Sequence, residues 1–355
     1  MMNLLVTGAA GFIGSNFVYH MLASDQTCTV VGLDKLAYAG NYDNLTALPE
    51  DQLRRFTFIK GDIVDRTLIE QLFQECGFDA LVNFAAETHV DRSIHDAQPF
   101  LMTNVVGTQC LLDTATRHWR KGSGWPSLCR FVQVSTDEVY GSLGSDGYFT
   151  ERTPLAPRNP YSASKAAADH LVQACHHTFG LPTCITRCSN NYGPYQFPEK
   201  LIPLMIRNAL RHEELPVYGD GRQVRDWLYV ADHCRAIELV LRDGQPGQVY
   251  NVGGHNEREN ITIVRNLLAS LREHARDPEI NEGLIRHVED RLGHDRRYAI
   301  DASKIESELG WRPTVAFEQG IARTIDWYLE NRQWTERVIS GEYLRFYELN
   351  YHVRQ

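Results

Sequence analysis

The sequence predicts an α/β fold, a doubly wound parallel sheet with helices on both faces and a smaller mixed α/β domain behind it. Three observations carry this. Short apolar runs alternate with helical patterns through the first half of the chain. The runs are continuous rather than alternating, as in strands buried on both sides. A glycine-rich turn, Gly8-Ala9-Ala10-Gly11-Phe12-Ile13-Gly14, joins the first run to the first helical pattern.

In chain order, strands are expected at 3–8, 28–34, 56–62, 79–85, 129–135 and 182–188, with helices near 12–24, 66–76, 96–118 and 161–179. After about residue 190 the rhythm loosens. Loops rich in Pro, Gly and Asn alternate with helices near 199–211, 231–242, 260–273 and 316–332. No repeat, low-complexity tract or flexible linker interrupts them. Residues 1–190 are therefore read as a nucleotide-binding domain. Residues 191–355 are read mainly as a second domain packed against it, with some segments returning to the first.

Composition narrows the function. A chain of 355 residues at 43% hydrophobic and 23% charged is an ordinary globular protein. The formal charge of −9 recommends no nucleic-acid partner, and no apolar run reaches membrane-spanning length. The N-terminus lacks the basic start and cleavage site of a signal peptide. The eight cysteines are scattered, and Cys184-x-x-x-Cys188 with no second pair is a poor zinc signal. Reduced thiols, a cytoplasmic location and no metal are the expectation.

The glycine turn is G-x-x-G-x-x-G. Glycines there permit a tight turn and let the backbone approach a pyrophosphate, while the helix that follows points free N–H groups at the anion. This is a Rossmann-type arrangement. Asp34 ends the second strand twenty residues after Gly14. An acid there accepts hydrogen bonds from an adenosine ribose and repels a 2′-phosphate, which favours NAD over NADP; Lys35 beside it pulls the other way. Asp62, closing the third strand, is an adenine contact or a strand-end cap.

A second constellation follows at Asn159-Pro160-Tyr161-Ser162-Ala163-Ser164-Lys165. Asn caps a helix and Pro suits its first position. Tyr161 and Lys165 then face the same way, and an ammonium and a helix N-terminus both favour phenolate. A tyrosine tuned down from about 10 can act as a base on a sugar hydroxyl. Between the two constellations, Ser135-Thr136-Asp137-Glu138-Val139-Tyr140-Gly141 sets adjacent carboxylates at the end of an apolar run. Neighbours on a strand point to opposite faces, so these two can share a substrate only if the strand has ended and the backbone turns.

The glycine motif with YSASK resembles the extended short-chain dehydrogenase/reductase family. STDEVYG, AAETHVDRS (85–93), RCSNNYGPYQFPEKLIP (187–203), VRDWLYVADH (224–233) and YNVGGHNE (250–257) narrow the resemblance, over nearly the whole length, to the dTDP-glucose 4,6-dehydratases. That resemblance implies bound NAD, a nucleotide-linked glucose as substrate and a redox-neutral loss of water across C5 and C6. Thr136, Asp137, Glu138, Tyr161 and Lys165 would be catalytic: Tyr161 the base at O4, Glu138 the base at C5, Asp137 the acid at the C6 oxygen and Thr136 a donor to the C4 oxyanion. The cofactor would lie against Gly8, Gly11, Phe12, Ile13, Gly14, Asp34, Lys35, Asp62, Ile63, Ala85, Ala86, Thr103, Tyr161, Lys165 and Asn191.

The substrate would meet Thr88, Thr136, Asn190, Lys200, Leu201, Pro216, Val217, Tyr218, Arg225, Asn260, Arg291 and His294. Arg225 and Arg291 are its phosphate candidates because the guanidinium fork matches phosphate. The family commonly has DRPGHD where this chain has Leu292 in place of the proline. His89 and Cys188 are read as packing residues. The helices expected at 96–118 and 161–179 would form the interface of a homodimer. Rival readings are the same dehydration on UDP-glucose, a nucleotide-sugar 4-epimerase or decarboxylase, and a non-catalytic NAD sensor. Epimerases share the glycine turn and Y-x-x-x-K but have no use for the acid–base pair after Thr136.

Overall fold

The computed structural model describes residues 2–339 apart from 38, 123, 128, 291 and 292. Its strands are β1 Met2–Thr7, β2 Cys28–Asp34, β3 Phe56–Lys60, β4 Ala80–Asn83, β5 Arg130–Thr136, β6 Thr183–Cys188, β7 Asn190–Tyr192, β8 Leu215–Tyr218, β9 Val224–Tyr229, β10 Val249–Val252, β11 Glu257–Glu259 and β12 Ile285–Val288. Seven of them form one parallel sheet in the order β10-β6-β5-β4-β1-β2-β3. Leu4, Leu5 and Val6 of β1 are fully buried. Burying each such side chain stabilises the fold by about 1.5–3 kcal/mol, which is why an uninterrupted apolar run marks a central strand.

The strand order reverses between β1 and β4. In open α/β sheets the crevice at such a reversal, beyond the carboxyl ends of the strands, is where ligands bind. Gly8 follows β1, residues 84–89 follow β4, and Thr136 ends β5. The sheet therefore delivers three of the sequence motifs to one edge.

Two smaller sheets lie after β6. One has the order β11-β9-β7, with β9 antiparallel to β11 and parallel to β7; the other pairs β8 with β12 in parallel. They share a core with Ile202, Leu204 and Met205 of the Leu201–Leu210 helix, with Ile263 and Leu267 of the Asn260–Ala275 helix, and with Ile321 and Ile325 of the Phe317–Glu330 helix. The Val230–Asp243 helix, β10, Ile305 and Trp311 instead pack into the core of the large sheet. The chain leaves the first core after β6, returns at about 228–252, and returns again near 302–311.

One expected helix is not uniform. The segment expected at 96–118 is built as Gln98–Phe100, a wider π-helical stretch Leu101–Gly107, and Thr108–Trp119. Thr103 and Asn104 of this stretch are buried, and Thr103 lines the crevice. Asn104 accepts from the Glu87 N–H at 2.9 Å and donates to Ser164 Oγ at 2.8 Å. π-turns of this kind concentrate at functional sites.

Candidate active site

A cleft of about 300 Å³ opens along the carboxyl edge of the large sheet. One wall is the glycine turn. Gly8 has φ +67°, and a Cβ there would stand 2.7 Å from the Ala85 nitrogen; a Cβ on Gly14 would collide with the Gly8 carbonyl. The Phe12–Ser24 helix begins here with Gly11 as its N-cap and no side chain capping it. Its first N–H groups, carried by cleft-lining residues Phe12, Ile13 and Gly14, are left for a ligand. This cradle fits a dinucleotide pyrophosphate.

Asp34 holds the turn as well as facing the cleft. Its carboxylate accepts from Ala10 N–H at 3.0 Å and from Leu36 N–H at 2.8 Å. Burial raises its pKa, and these two N–H groups oppose the rise. A carboxylate has about four acceptor sites, so capacity remains for a ribose. Lys35, which blurred the choice of cofactor in the sequence, is committed elsewhere: its ammonium pairs with Glu87 at 2.9 Å and donates to Thr103 Oγ1 at 3.0 Å. Asp62 caps its turn by accepting from Val64 N–H at 3.2 Å and also lines the cleft, beside Ile63. Ala85, Ala86, Thr103 and Asn191 complete this end. His233, fully buried and held neutral by burial with its pKa down to about 3, hydrogen-bonds Asn191 Oδ1 at 3.0 Å.

Thr136, Glu138, Tyr161 and Lys165 line the other end. The backbone turn that the two adjacent carboxylates require is present. β5 stops at Thr136, which caps a 3₁₀ turn over Asp137–Tyr140 by accepting from Glu138 N–H at 3.2 Å. Glu138 reaches the cleft, whereas Asp137 lies under it, 2% exposed. Burial first, then the neighbouring Glu138 and Asp226, push the Asp137 carboxyl well above the usual range, which favours its protonated form. Its Oδ1 receives the Thr136 hydroxyl at 3.3 Å, and its Oδ2 is buried without a hydrogen-bond partner.

Tyr161 enters on the Pro160–Phe179 helix, which starts with the Asn159–Ser162 capping box and Pro160 at its first position. The expected lowering of its phenol is absent. Burial, then the charge of Glu138, push the pKa well up, against a downward pull from a hydrogen bond with Thr136. Lys165 is not among the main groups that act on it, and its ammonium donates to the Val134 carbonyl at 2.7 Å. Its own pKa is lowered by burial, with the Asp169 charge working against that.

Of the substrate residues expected from the sequence, Thr88, Asn190 and Lys200 reach the cleft, and Lys200 Nζ donates to the Thr88 carbonyl at 3.2 Å. Leu201 starts the next helix and packs on the second core. Pro216, Val217, Tyr218, Arg225, Asn260 and His294 lie off the cleft wall, around β8 and β9. There Tyr218 meets the His294 ring at 6.0 Å, and Asn260 Oδ1 is buried without a partner. Arg225 donates to the Val224 and Asp295 carbonyls and stacks over Tyr298, 4.2 Å from its centroid. Arg291, with Leu292, is outside the described residues.

The sequence reading missed several groups. Glu87 and Glu199 line the cleft, and so do His89 and Cys188, which were assigned to packing. His89 Nε2 lies 3.4 Å from Glu199 Oε2. Tyr298, buried and bonded to Asp295 Oδ2 at 2.6 Å, feels the charge of Glu138. Glu199 sits in the quoted block from which Asn190, Asn191, Lys200 and Leu201 were taken, and it was passed over.

The fold and the cleft define an extended short-chain dehydrogenase/reductase with an acid–base pair beside its tyrosine and lysine. The GDP-mannose 4,6 dehydratase family model matches residues 5–324. A dTDP-glucose 4,6-dehydratase of Xanthomonas campestris pv. campestris is 56% identical over 346 residues, 97% of each chain. Among solved structures, dTDP-glucose 4,6-dehydratases of Streptomyces venezuelae and Bacillus anthracis, both with NAD, superpose with TM-scores of 0.87 and 0.86 at 49% and 47% identity. These cover 95% and 96% of this chain and all of theirs. The chain belongs to the dTDP-glucose 4,6-dehydratase family.

Proposed function

We propose that this chain converts dTDP-glucose to dTDP-4-keto-6-deoxyglucose and water with NAD held in the cleft. The observation that carries the reading is the pair of adjacent carboxyls at the end of β5, Glu138 lining the cleft and Asp137 buried directly beside it, where burial favours the protonated form. An enzyme that only oxidises and re-reduces C4 has no use for that pair. NAD is favoured over NADP because Asp34 faces the cleft while Lys35 is neutralised by Glu87.

Elimination of water from a hexose needs a carbonyl next to the carbon that loses its proton, because hydrogen beside an ordinary alcohol is scarcely acidic. NAD bound in the cleft would supply the chemistry the ketone needs, accepting hydride from C4 and giving hydride back at C6 so that the reaction is redox-neutral, and its positive charge would favour phenolate at Tyr161. Tyr161 takes the O4 proton, and Thr136 donates to the oxygen left behind. Glu138, which lines the cleft, takes the C5 proton, and C5 is reprotonated with a solvent-exchanged proton when C6 receives hydride. Asp137 gives its proton to the C6 hydroxyl, which departs as water. The cleft edge of Thr88, Asn190 and Lys200 is assigned to the sugar nucleotide. Leu201, Pro216 to Tyr218, Arg225, Asn260, Arg291 and His294 are assigned to its diphosphate and base.

β7, β8, β9, β11 and β12 with the Leu201–Leu210, Asn260–Ala275, Phe317–Glu330 and Arg332–Val338 helices make up the substrate-binding unit, whereas the Val230–Asp243 helix, β10 and residues 302–311 belong to the nucleotide-binding unit. No helix among the described residues is long and apolar enough to cross a membrane, and the eight cysteines are all free thiols, as a reducing cytoplasm would keep them.

The test is incubation with dTDP-glucose in heavy water, followed by mass. Loss of water with one solvent-derived deuterium at C5 is expected. Epimerised, undehydrated sugar would overturn the reading. UDP-glucose run in parallel decides the base, since one methyl group is a small discriminating term.

A further inference from the structure

The Ala10 peptide, at the centre of the glycine turn, is held from three directions. Its N–H goes to Asp34 Oδ2, and its carbonyl accepts from Asn41 N–H at 3.0 Å and from Asn44 Nδ2 at 2.8 Å. Asn44 is 2% exposed. Its other amide atom, Oδ1, accepts from Trp334 Nε1 at 2.8 Å, across 290 residues of chain. Trp334 belongs to the Arg332–Val338 helix and is itself buried. The same helix ties Arg337 to Asp43 at 2.7 Å. Aromatic contacts run parallel to this link. Tyr19, on the helix that opens at the glycine turn, stacks on Tyr195 at 5.9 Å, and Tyr195 meets the Trp334 ring at 6.0 Å.

We infer that Trp334 is a positioning residue for dinucleotide retention, acting through Asn44 on the Ala10 carbonyl. An indole N–H can only donate and a carbonyl can only accept. With both present, the Asn44 amide has one satisfied orientation, with oxygen toward Trp334 and nitrogen toward Ala10. Without the indole donor the buried Asn44 oxygen is left unpaired, so the side chain loses one of its two anchors and its hold on the Ala10 carbonyl loosens. The turn has no slack to absorb that change, because Gly8 and Gly14 already pack against backbone with no room for a Cβ. A shift at Ala10 therefore moves the N–H groups at the start of the Phe12–Ser24 helix that cradle the pyrophosphate. This inference rests on the reading that the cleft takes NAD.

The test uses the full-length chain loaded with NAD, then transferred to NAD-free buffer, with retained NAD measured over time by filtration. Trp334→Phe keeps the ring and removes the donor. Trp311→Phe is the control: Trp311 is also buried and donates to a carbonyl, that of Asp232, at 3.0 Å. Loss of NAD should speed by about three- to tenfold in Trp334→Phe, the worth of one buried hydrogen bond, and stay at the parental rate in Trp311→Phe. The rise in unfolding temperature that NAD confers should shrink only in Trp334→Phe. Equal NAD loss from both variants, or parental retention in Trp334→Phe, overturns the inference. If Trp334→Phe does not fold, Asn44→Asp replaces the donor facing Ala10 while keeping the acceptor for Trp334. It should lose NAD faster than the parent, and unchanged retention there overturns the inference equally. A parent chain that holds no NAD at all overturns the functional reading instead.

Discussion

Asp137 shows how one buried group ties activity to pH. Its folded-state pKa is raised, so the protonated form persists above the ordinary carboxylate range. Turnover should fall on the alkaline side as this acid ionises. The stability sign is the same: the folded state binds a proton that the unfolded chain releases, so the contribution is full below the unfolded pKa and is lost as pH rises through the folded one. Asp137→Asn cannot ionise. It should lose elimination by roughly 10²–10⁴, retain NAD, and at alkaline pH unfold at a higher temperature than the parent. A variant that lost NAD together with activity would contradict the assignment. Glu138→Gln should lose elimination to a similar extent, read by the same product assay, while still binding NAD. Both carboxylates were legible in the sequence because the resemblance carried by STDEVYG and the other blocks implies their roles; two acids at a strand end would by themselves read as a strand running out into water. The environment that separates them was not, because besides its burial Asp137 feels the charges of Asp226, which raises its pKa, and Arg225, which lowers it, both far along the chain.

At the scale of elements, the catalytic helix and its neighbouring strand are fastened by a buried ion pair. Arg187 on β6 donates to Asp169 on the Pro160–Phe179 helix at 2.8 Å, with side chains 3% and 0% exposed. Arg187 also donates to the Tyr140 hydroxyl at 3.0 Å, at the end of the turn that carries Asp137 and Glu138. Removing one partner strands a buried charge, so Arg187→Met should destabilise by about 3–5 kcal/mol, read as a fall in the denaturant midpoint. Replacing both partners by apolar residues should cost less than replacing one. Elements such as this helix were readable because Asn159 and Pro160 announce its start and Gly180 its end. The π-helical stretch at Leu101–Gly107 was not, since its apolar residues fit an ordinary helical period and only the inward-facing Thr103 and Asn104 require the wider winding. β10 was missed as well, being four residues long and flanked by loop signals.

At the scale of the molecule, the sequence could suggest two units but not their interleaving. β10 and the Val230–Asp243 helix join the first core because of where β6 lies, which no local pattern encodes. The surface makes one further demand. Leu101, Met102 and Val106 are 52%, 44% and 45% exposed on the π-helical stretch, with Ile94 at 38% close by in sequence. That stretch packs along the Pro160–Phe179 helix, so both helices expected at a homodimer interface border this apolar surface. Large apolar side chains grouped on a surface signal association, and a two-fold dimer would cover the patch with its own copy. The parent should scatter light at twice the chain mass, and Leu101→Glu combined with Met102→Glu should halve it. Because Thr103 in the same stretch lines the cleft and Asn104 holds the backbone of cleft-lining Glu87, the separated chain should also release NAD faster. A parent that scatters as a single chain would show that the patch serves something other than a second copy.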